Sequence, residues 1–202
     1  MKLIKFVPLL FVLAASHAFA DSYLISIDTS SLAPNTTGFL DFFFNGSFPA
    51  TATITNFANP GGSLNPGSLF TQGTVMGALP GTVTLGANNA DYDEGITVGS
   101  PIQFGLTLTG TPGGQTGDVF TLSFYNSTFT GGLLTGNQND FWLAQFQLST
   151  NGSITPVAYA NPSGGPSYAT VTSAAAAPEP STMAMFVAAG LAVCGWRLCA
   201  RV

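Results

Sequence analysis

Apolar residues in the middle of this chain recur at every second position, in short runs that are cut off by Pro, Gly and Asn. That spacing matches the two faces of a β-strand and not the 3.6-residue turn of a helix. In Ile102-Gln103-Phe104-Gly105-Leu106-Thr107-Leu108-Thr109 the even positions are apolar and the odd ones small or polar. Trp142, Ala144, Phe146 and Leu148 alternate in the same way against Leu143, Gln145, Gln147 and Ser149. Phe120, Leu122 and Phe124 repeat the pattern, as do Tyr23, Ile25 and Ile27. Leu40, Phe42 and Phe44 do too, although Phe39 and Phe43 make that run apolar on both faces. The runs are separated by turn clusters such as Asn59-Pro60-Gly61-Gly62, Asn65-Pro66-Gly67, Leu79-Pro80-Gly81 and Thr111-Pro112-Gly113-Gly114. The spacing predicts eight to ten short strands in an all-β domain. Its expected form is an antiparallel β-sandwich, jelly-roll or immunoglobulin-like, with a closed barrel as the second choice.

Composition narrows the chemistry. All four basic residues lie at the ends, as Lys2, Lys5, Arg197 and Arg201; His17 and both cysteines, Cys194 and Cys199, are terminal too. Residues 21–177 therefore hold no Lys, Arg, His or Cys, only tyrosines and eight acids: Asp21, Asp28, Asp41, Asp91, Asp93, Glu94, Asp118 and Asp140. A Ser-His-Asp or Cys-His centre cannot be built without its base, so no catalytic residues are expected and the chain reads as a non-enzyme. Zinc, copper and haem sites lack their usual ligands. Nucleic-acid binding lacks the cations that give it affinity. A disulfide framework within 21–177 is excluded outright.

The two ends read differently. Lys2 and Lys5, the apolar run from Phe6 to Ala15, and the small-x-small pattern Ala18-Phe19-Ala20 follow the order of a secretory signal peptide over residues 1–20, cleaved after Ala20. At the other end, Ala174–Ala177 lead into Pro178-Glu179-Pro180-Ser181-Thr182, then an apolar stretch from Met183 to Trp196, then Arg197 and Arg201. Fourteen helical residues rise about 21 Å, short of a hydrocarbon core of roughly 30 Å. Extending the helix to about residues 183–200, with Arg197 snorkelling, makes a span possible. The arginines would form a basic anchor on the cytoplasmic side and leave the large domain outside.

Pro178-Glu179-Pro180, a single apolar helix and terminal arginines, in that order, resemble a PEP-CTERM sorting signal. The resemblance covers residues 174–202. It implies recognition and processing by a membrane enzyme of the exosortase type, in a Gram-negative-type bacterium that makes an extracellular polysaccharide matrix. The two arginines are fewer than a full basic cluster, and an uncleaved C-terminal anchor is the alternative. Asp21-Ser22-Tyr23-Leu24-Ile25-Ser26-Ile27-Asp28, with Gly38-Phe39-Leu40-Asp41-Phe42, also resembles the start of a subset of such proteins with no assigned activity. The expected organisation is a signal peptide over 1–20, an extracellular all-β domain over 21–173, and a linker with sorting tail over 174–202.

Within the domain, Asp91-Tyr92-Asp93-Glu94-Gly95 is the densest acidic patch. Hard cations take carboxylate and carbonyl oxygens, so Asp91, Asp93 and Glu94, with Asn88 and Asn89, form a candidate calcium loop; the EF-hand pattern is missing. The plain alternative is a solvated acidic turn. Asp91 or Asp93 with Asp118 or Asp140 could form a carboxylate pair for glycoside hydrolysis, though nothing in the sequence makes them converge. Trp142, Tyr92 and Tyr125 could stack on sugars, but Trp142 falls on the apolar side of its alternation and reads as core. The expected role is an exported cell-surface or extracellular-matrix protein, structural or adhesive, that passes transiently through the inner membrane. Its expected partners are an exosortase-type enzyme, and polysaccharide or copies of itself. A carbohydrate-binding module, calcium-dependent or not, is the alternative, and a carboxylate-only glycoside hydrolase a remote third.

Overall fold

A computed structural model of the chain describes residues 19–47, 49–110, 117–135, 140–161 and 163–174. The expected signal-peptide residues through Ala18 lie outside these, as does the tail with Pro178, Glu179, Pro180, Arg197 and Arg201. Among the described residues the named regular elements are all strands: β1 (Phe19–Ile27), β2 (Thr37–Asn45), β3 (Thr51–Ala58), β4 (Ser63–Gln72), β5 (Val75–Gly77), β6 (Val83–Leu85), β7 (Ala90–Thr97), β8 (Ile102–Gly110), β9 (Asp118–Asn126), β10 (Trp142–Leu148), β11 (Ile154–Ala158) and β12 (Ala169–Ser173). These twelve exceed the eight to ten that the alternation predicts. The shortfall includes β5 and β6, whose three residues each are too few to display a period of two.

The strands form two six-stranded sheets, ordered β12-β1-β8-β3-β6-β5 and β11-β10-β9-β2-β7-β4. All named pairings are antiparallel. The sheets are separate, which makes the molecule sandwich-like and not a barrel. The alternation fixes which face is which. Ile102, Phe104, Leu106 and Leu108 of β8 are fully buried, as are Leu40, Phe42 and Phe44 of β2 and Phe120, Leu122 and Phe124 of β9. Rings from the two sheets meet in the middle: Phe42 packs edge-on to Phe104 at 5.2 Å between centroids, and Tyr23 to Phe146 at 4.9 Å. Each such side chain contributes roughly 1.5–3 kcal/mol by leaving water, so this seam supplies the main driving force for closing the sandwich.

Three register shifts interrupt the pairing; one lies in β3 between Thr55 and Ala58, where Asn56 has a positive φ of 54°, and the other two lie in β10 and β4. In β10 the register shifts between Trp142 and Ala144: Trp142 lies opposite Ser123 while Ala144 lies opposite Leu122. This extra residue reverses the phase, so the expectation that Trp142 is core is wrong. Trp142 is half-buried on the outer face beside Tyr159, with centroids 6.1 Å apart, and Leu143 is the buried residue. In β4 the register jumps between Asn65 and Phe70, and the intervening residues arch over Gly95 of β7. A Cβ at Gly95 would lie 2.6 Å from Ser68 Cβ, closer than side chains tolerate, so the arch requires glycine there.

Replacing Phe42 by Ala should lower unfolding free energy by about 3–5 kcal/mol in chemical denaturation. Leu24, on the outer face of β1 and 51 % exposed, should tolerate the same change within about 0.5 kcal/mol. Equal losses at the two positions would contradict this assignment of faces.

Candidate functional site

The outer face of the second sheet carries a row of side chains across five neighbouring strands. Reading the register from edge to edge, Phe70 of β4 lies opposite Asp93 of β7, Asp93 opposite Asp41 of β2, Asp41 opposite Ser123 of β9, and Ser123 opposite Trp142 of β10. Asp91 stands one pleat further along β7, on the same face as Asp93. Carboxylate oxygens of Asp41, Asp91 and Asp93 lie within 4.8 Å of one another. The sequence dictates this meeting only through pairing: Asp41 is the outward residue between Leu40 and Phe42, and the β2–β7 register brings it to Asp93.

These acids are not at a wet surface. Asp41 and Asp93 are each 8 % exposed, Ser123 is fully buried, and Asp91 is half-buried. Aromatic side chains stand close by on the same face. Phe39 stacks on Phe129 at 4.1 Å, and Tyr125 packs against Phe129 and Phe141 at 5.6 and 5.9 Å. Asp41 Oδ1, Asp91 Oδ1 and Ser123 Oγ are buried without a hydrogen-bond partner, as is Glu94 Oε1 on the opposite face of β7. Such groups cost free energy unless something satisfies them.

The electrostatics follow from that geometry. Burial pushes the Asp41 carboxyl up to about 8, helped by the charges of Asp93 and Asp91 and opposed by the nearby Ser123 hydroxyl. Burial likewise raises Asp93 to about 7, with Asp91 adding to the effect. Asp91 is raised by burial too, while its interaction with Asp41 pulls the other way. The Tyr125 phenol is raised first by burial and then by the charge of Asp41, opposed by its interaction with the Ser123 hydroxyl, with smaller contributions from Asp93 and Asp91. With no basic side chain in residues 21–177, the cluster can be neutralised only by protons or by a cation from solution. Its donors are all oxygens, which suit hard cations and not zinc or copper.

The candidate residues read from sequence separate here. Asp91 and Asp93 meet, but they do so on a strand, where an acidic loop was expected. Glu94 does not join them, because successive strand residues face opposite ways. It points into the core, 2 % exposed, where it accepts a 2.5 Å hydrogen bond from Tyr92 Oη, which itself accepts one from Leu79 N at 3.0 Å. Asn88 and Asn89 are exposed and form the turn before β7, with positive φ of 70° and 57° that asparagine tolerates. Asp118 is also on the inner side, at the start of β9, accepting from Ser47 Oγ at 2.8 Å. It lies five residues from Ser123, some 16 Å along the strand, and lines a groove of about 480 Å³ with Gln145, Gln147 and Ser149. Asp140 is exposed in the connection before β10. Tyr92 is core, while Tyr125 and Trp142 share the outer face with the acids. Asp41 and Ser123 were the members that sequence reasoning missed; an isolated acid at an outward position of a phenylalanine-rich strand was the available signal.

The raised carboxyls set a pH dependence. Asp41 and Asp93 bind protons more tightly when folded (about 8 and about 7) than in the unfolded chain, where they titrate near 3.8. The folded state then holds more protons between those values, so stability conferred at low pH is lost as pH rises. In chelator, melting temperature should fall from pH 5 to pH 8, and Asp41→Asn should flatten that slope. A melting temperature that rises over this interval would contradict the burial of the pair.

No protein-family model, curated protein or solved structure matches the chain.

Proposed function

We propose that this chain is an exported cell-surface or extracellular-matrix protein with a structural or adhesive role, sorted by its C-terminal tail. The domain is read as a sandwich of jelly-roll or immunoglobulin-like type between a signal peptide and an apolar C-terminal helix. The observation that carries the adhesive part is the outer face of the first sheet. There Ser22, Thr107, Thr53 and Thr84 stand in one register row across β1, β8, β3 and β6, with Thr51 and Thr109 paired in the next row. Ser22 Oγ and Thr107 Oγ1 lie 3.0 Å apart, Thr51 Oγ1 and Thr109 Oγ1 2.5 Å. This is an uncharged surface of hydroxyls on short side chains, and the β-branched threonines among them lose little rotamer freedom on contact. It suits broad contact with polysaccharide hydroxyls or with another copy of the same face. Delivery rests on the sequence of the ends. Cleavage after Ala20 would remove only Phe19 and Ala20 from β1 and keep Asp21–Ile27 paired with β8.

A carbohydrate-binding module is the second reading, favoured by the row that sets Phe70 and Trp142 on either side of the acids. Aromatic faces beside carboxylates are a common way to hold sugars by stacking and hydrogen bonding. A carboxylate-only hydrolase draws less support, since neither Asp118 nor Asp140 belongs to the cluster of Asp41, Asp91 and Asp93.

Intact mass of the native protein, recovered separately from membrane and from matrix, tests delivery. Processing predicts a matrix form that begins at Asp21 and ends before Met183. A species that retains residues 183–202 and occurs only in membrane would leave a plain anchored ectodomain. Passing the protein over immobilised matrix polysaccharide separates the two binding readings. A sugar-binding module should be retained and should lose at least about tenfold in affinity on Trp142→Ala. Retention unchanged by Trp142→Ala would return the binding to the hydroxyl face.

A further inference from the structure

The geometry points to a divalent-cation site, for calcium by its donor chemistry, formed by Asp41, Asp91 and Asp93 together with the Ser123 hydroxyl on the outer face of the second sheet. The site stands apart from the question of delivery or adhesion, because it depends only on side chains held by β2, β7 and β9.

The carboxylates have the reach a cation requires. Oxygens no more than 4.8 Å apart match the span across one calcium ion, about twice its bond length of roughly 2.4 Å. Proximity of acids alone would carry little weight. The independent observation is Ser123: fully buried, in register with Asp41, its Oγ within reach of the Asp41 carboxyl and the Tyr125 phenol yet without a hydrogen bond of regular geometry to either. Serine at a position closed to water normally bonds to backbone or to a neighbour. Asp41 Oδ1 and Asp91 Oδ1 of the same cluster are also unsatisfied. An ion among them would satisfy all three at once and offset the mutual repulsion of the acids.

The identity of the ion follows from the donors. Three carboxylates, mono- or bidentate, supply three to six oxygens, and the hydroxyl adds one; water entering past half-buried Asp91 completes the six to eight that calcium takes. Nitrogen and sulfur donors are absent, which disfavours zinc and copper. Magnesium demands a near-ideal octahedron at about 2.1 Å and parts reluctantly with water, a demand that side chains held on three adjacent strands meet less readily than the looser shell of calcium. The affinity expected is that of extracellular calcium modules, with Kd on the order of 10⁻⁴–10⁻³ M.

The test is thermal melting of the full chain, stripped with chelator and titrated with calcium or magnesium at pH 7.5. Terbium emission sensitised by Tyr125 and Trp142 provides a second readout. Calcium at a large excess over Kd should raise the melting temperature by roughly 5 °C, reversibly with chelator, and magnesium should do less. Asp41→Asn and Asp93→Asn keep the shape of the protonated acids, so both variants should fold without metal. Each should need at least about tenfold more calcium for the same shift, and should lose terbium emission in proportion. Asp28→Asn, at an exposed position outside the cluster, should respond like the unaltered chain. No calcium shift up to about 10 mM, well above the expected Kd, would overturn the proposal. So would a shift of equal size and midpoint in Asp93→Asn, which would place the ion elsewhere.

Discussion

Asp41, Asp91 and Asp93 hold their carboxylates within 4.8 Å of one another, in a domain that contains no Lys, Arg or His to pair with them. In most proteins such a meeting would be relieved by an arginine or lysine from a neighbouring strand. Here the only remedies are protons or ions from outside, and burial makes one of them necessary. The outer face of the second sheet is therefore unlike that of the first. Hydroxyls on β1, β8 and β3 satisfy one another in the Ser22–Thr107 and Thr51–Thr109 pairs. The acids of the other row, once ionised, cannot satisfy one another.

The same strands carry both extremes. Asp41 is flanked in β2 by Leu40 and Phe42, which are fully buried on the opposite face, and Asp93 in β7 by Tyr92 and Glu94. The inner residues hold the register in which the acids meet. Slipping β2 by one residue against β7 would take Asp41 off the face of Asp93 and at the same time expose Phe42. The Phe42–Phe104 contact across the sandwich thus holds the charges together from behind, and hydrophobic burial meets the cost of their approach.

Much of this architecture was legible in the residues. Ile102 to Thr109 and Phe120 to Phe124 alternate so cleanly that their buried faces could be named, and both sit as read. Where one extra residue enters, the reading breaks: Trp142 follows the alternation of β10 in sequence, yet the shift before Ala144 turns it outward. A bulge leaves no periodic trace over so short a strand. The acid cluster was half legible. Asp91 and Asp93 share a face by their spacing alone, and the same period of two should have removed Glu94. Asp41 and Ser123 come from strands 50 and 30 residues or more away in sequence, and an alternation pattern says which way a residue faces but never which strand lies beside it.

Placement within the sheet decides how strongly the cluster is coupled to the fold. β2 and β7 lie inside the second sheet, with β9 on one side and β4 on the other, so the acids are not on a loop that could open independently. Repulsion between Asp41 and Asp93 acts directly across paired strands, and relief of it acts there too. A ligand bound at such a position stabilises the cooperative unit as a whole, because releasing it by local opening would require breaking the ladder on both sides of β2 or β7. Protonation and cation binding therefore compete for the same oxygens and report on the same global equilibrium. At a pH below the raised carboxyl values, protons hold the strands together. Above them the sandwich depends on what the surrounding solution supplies.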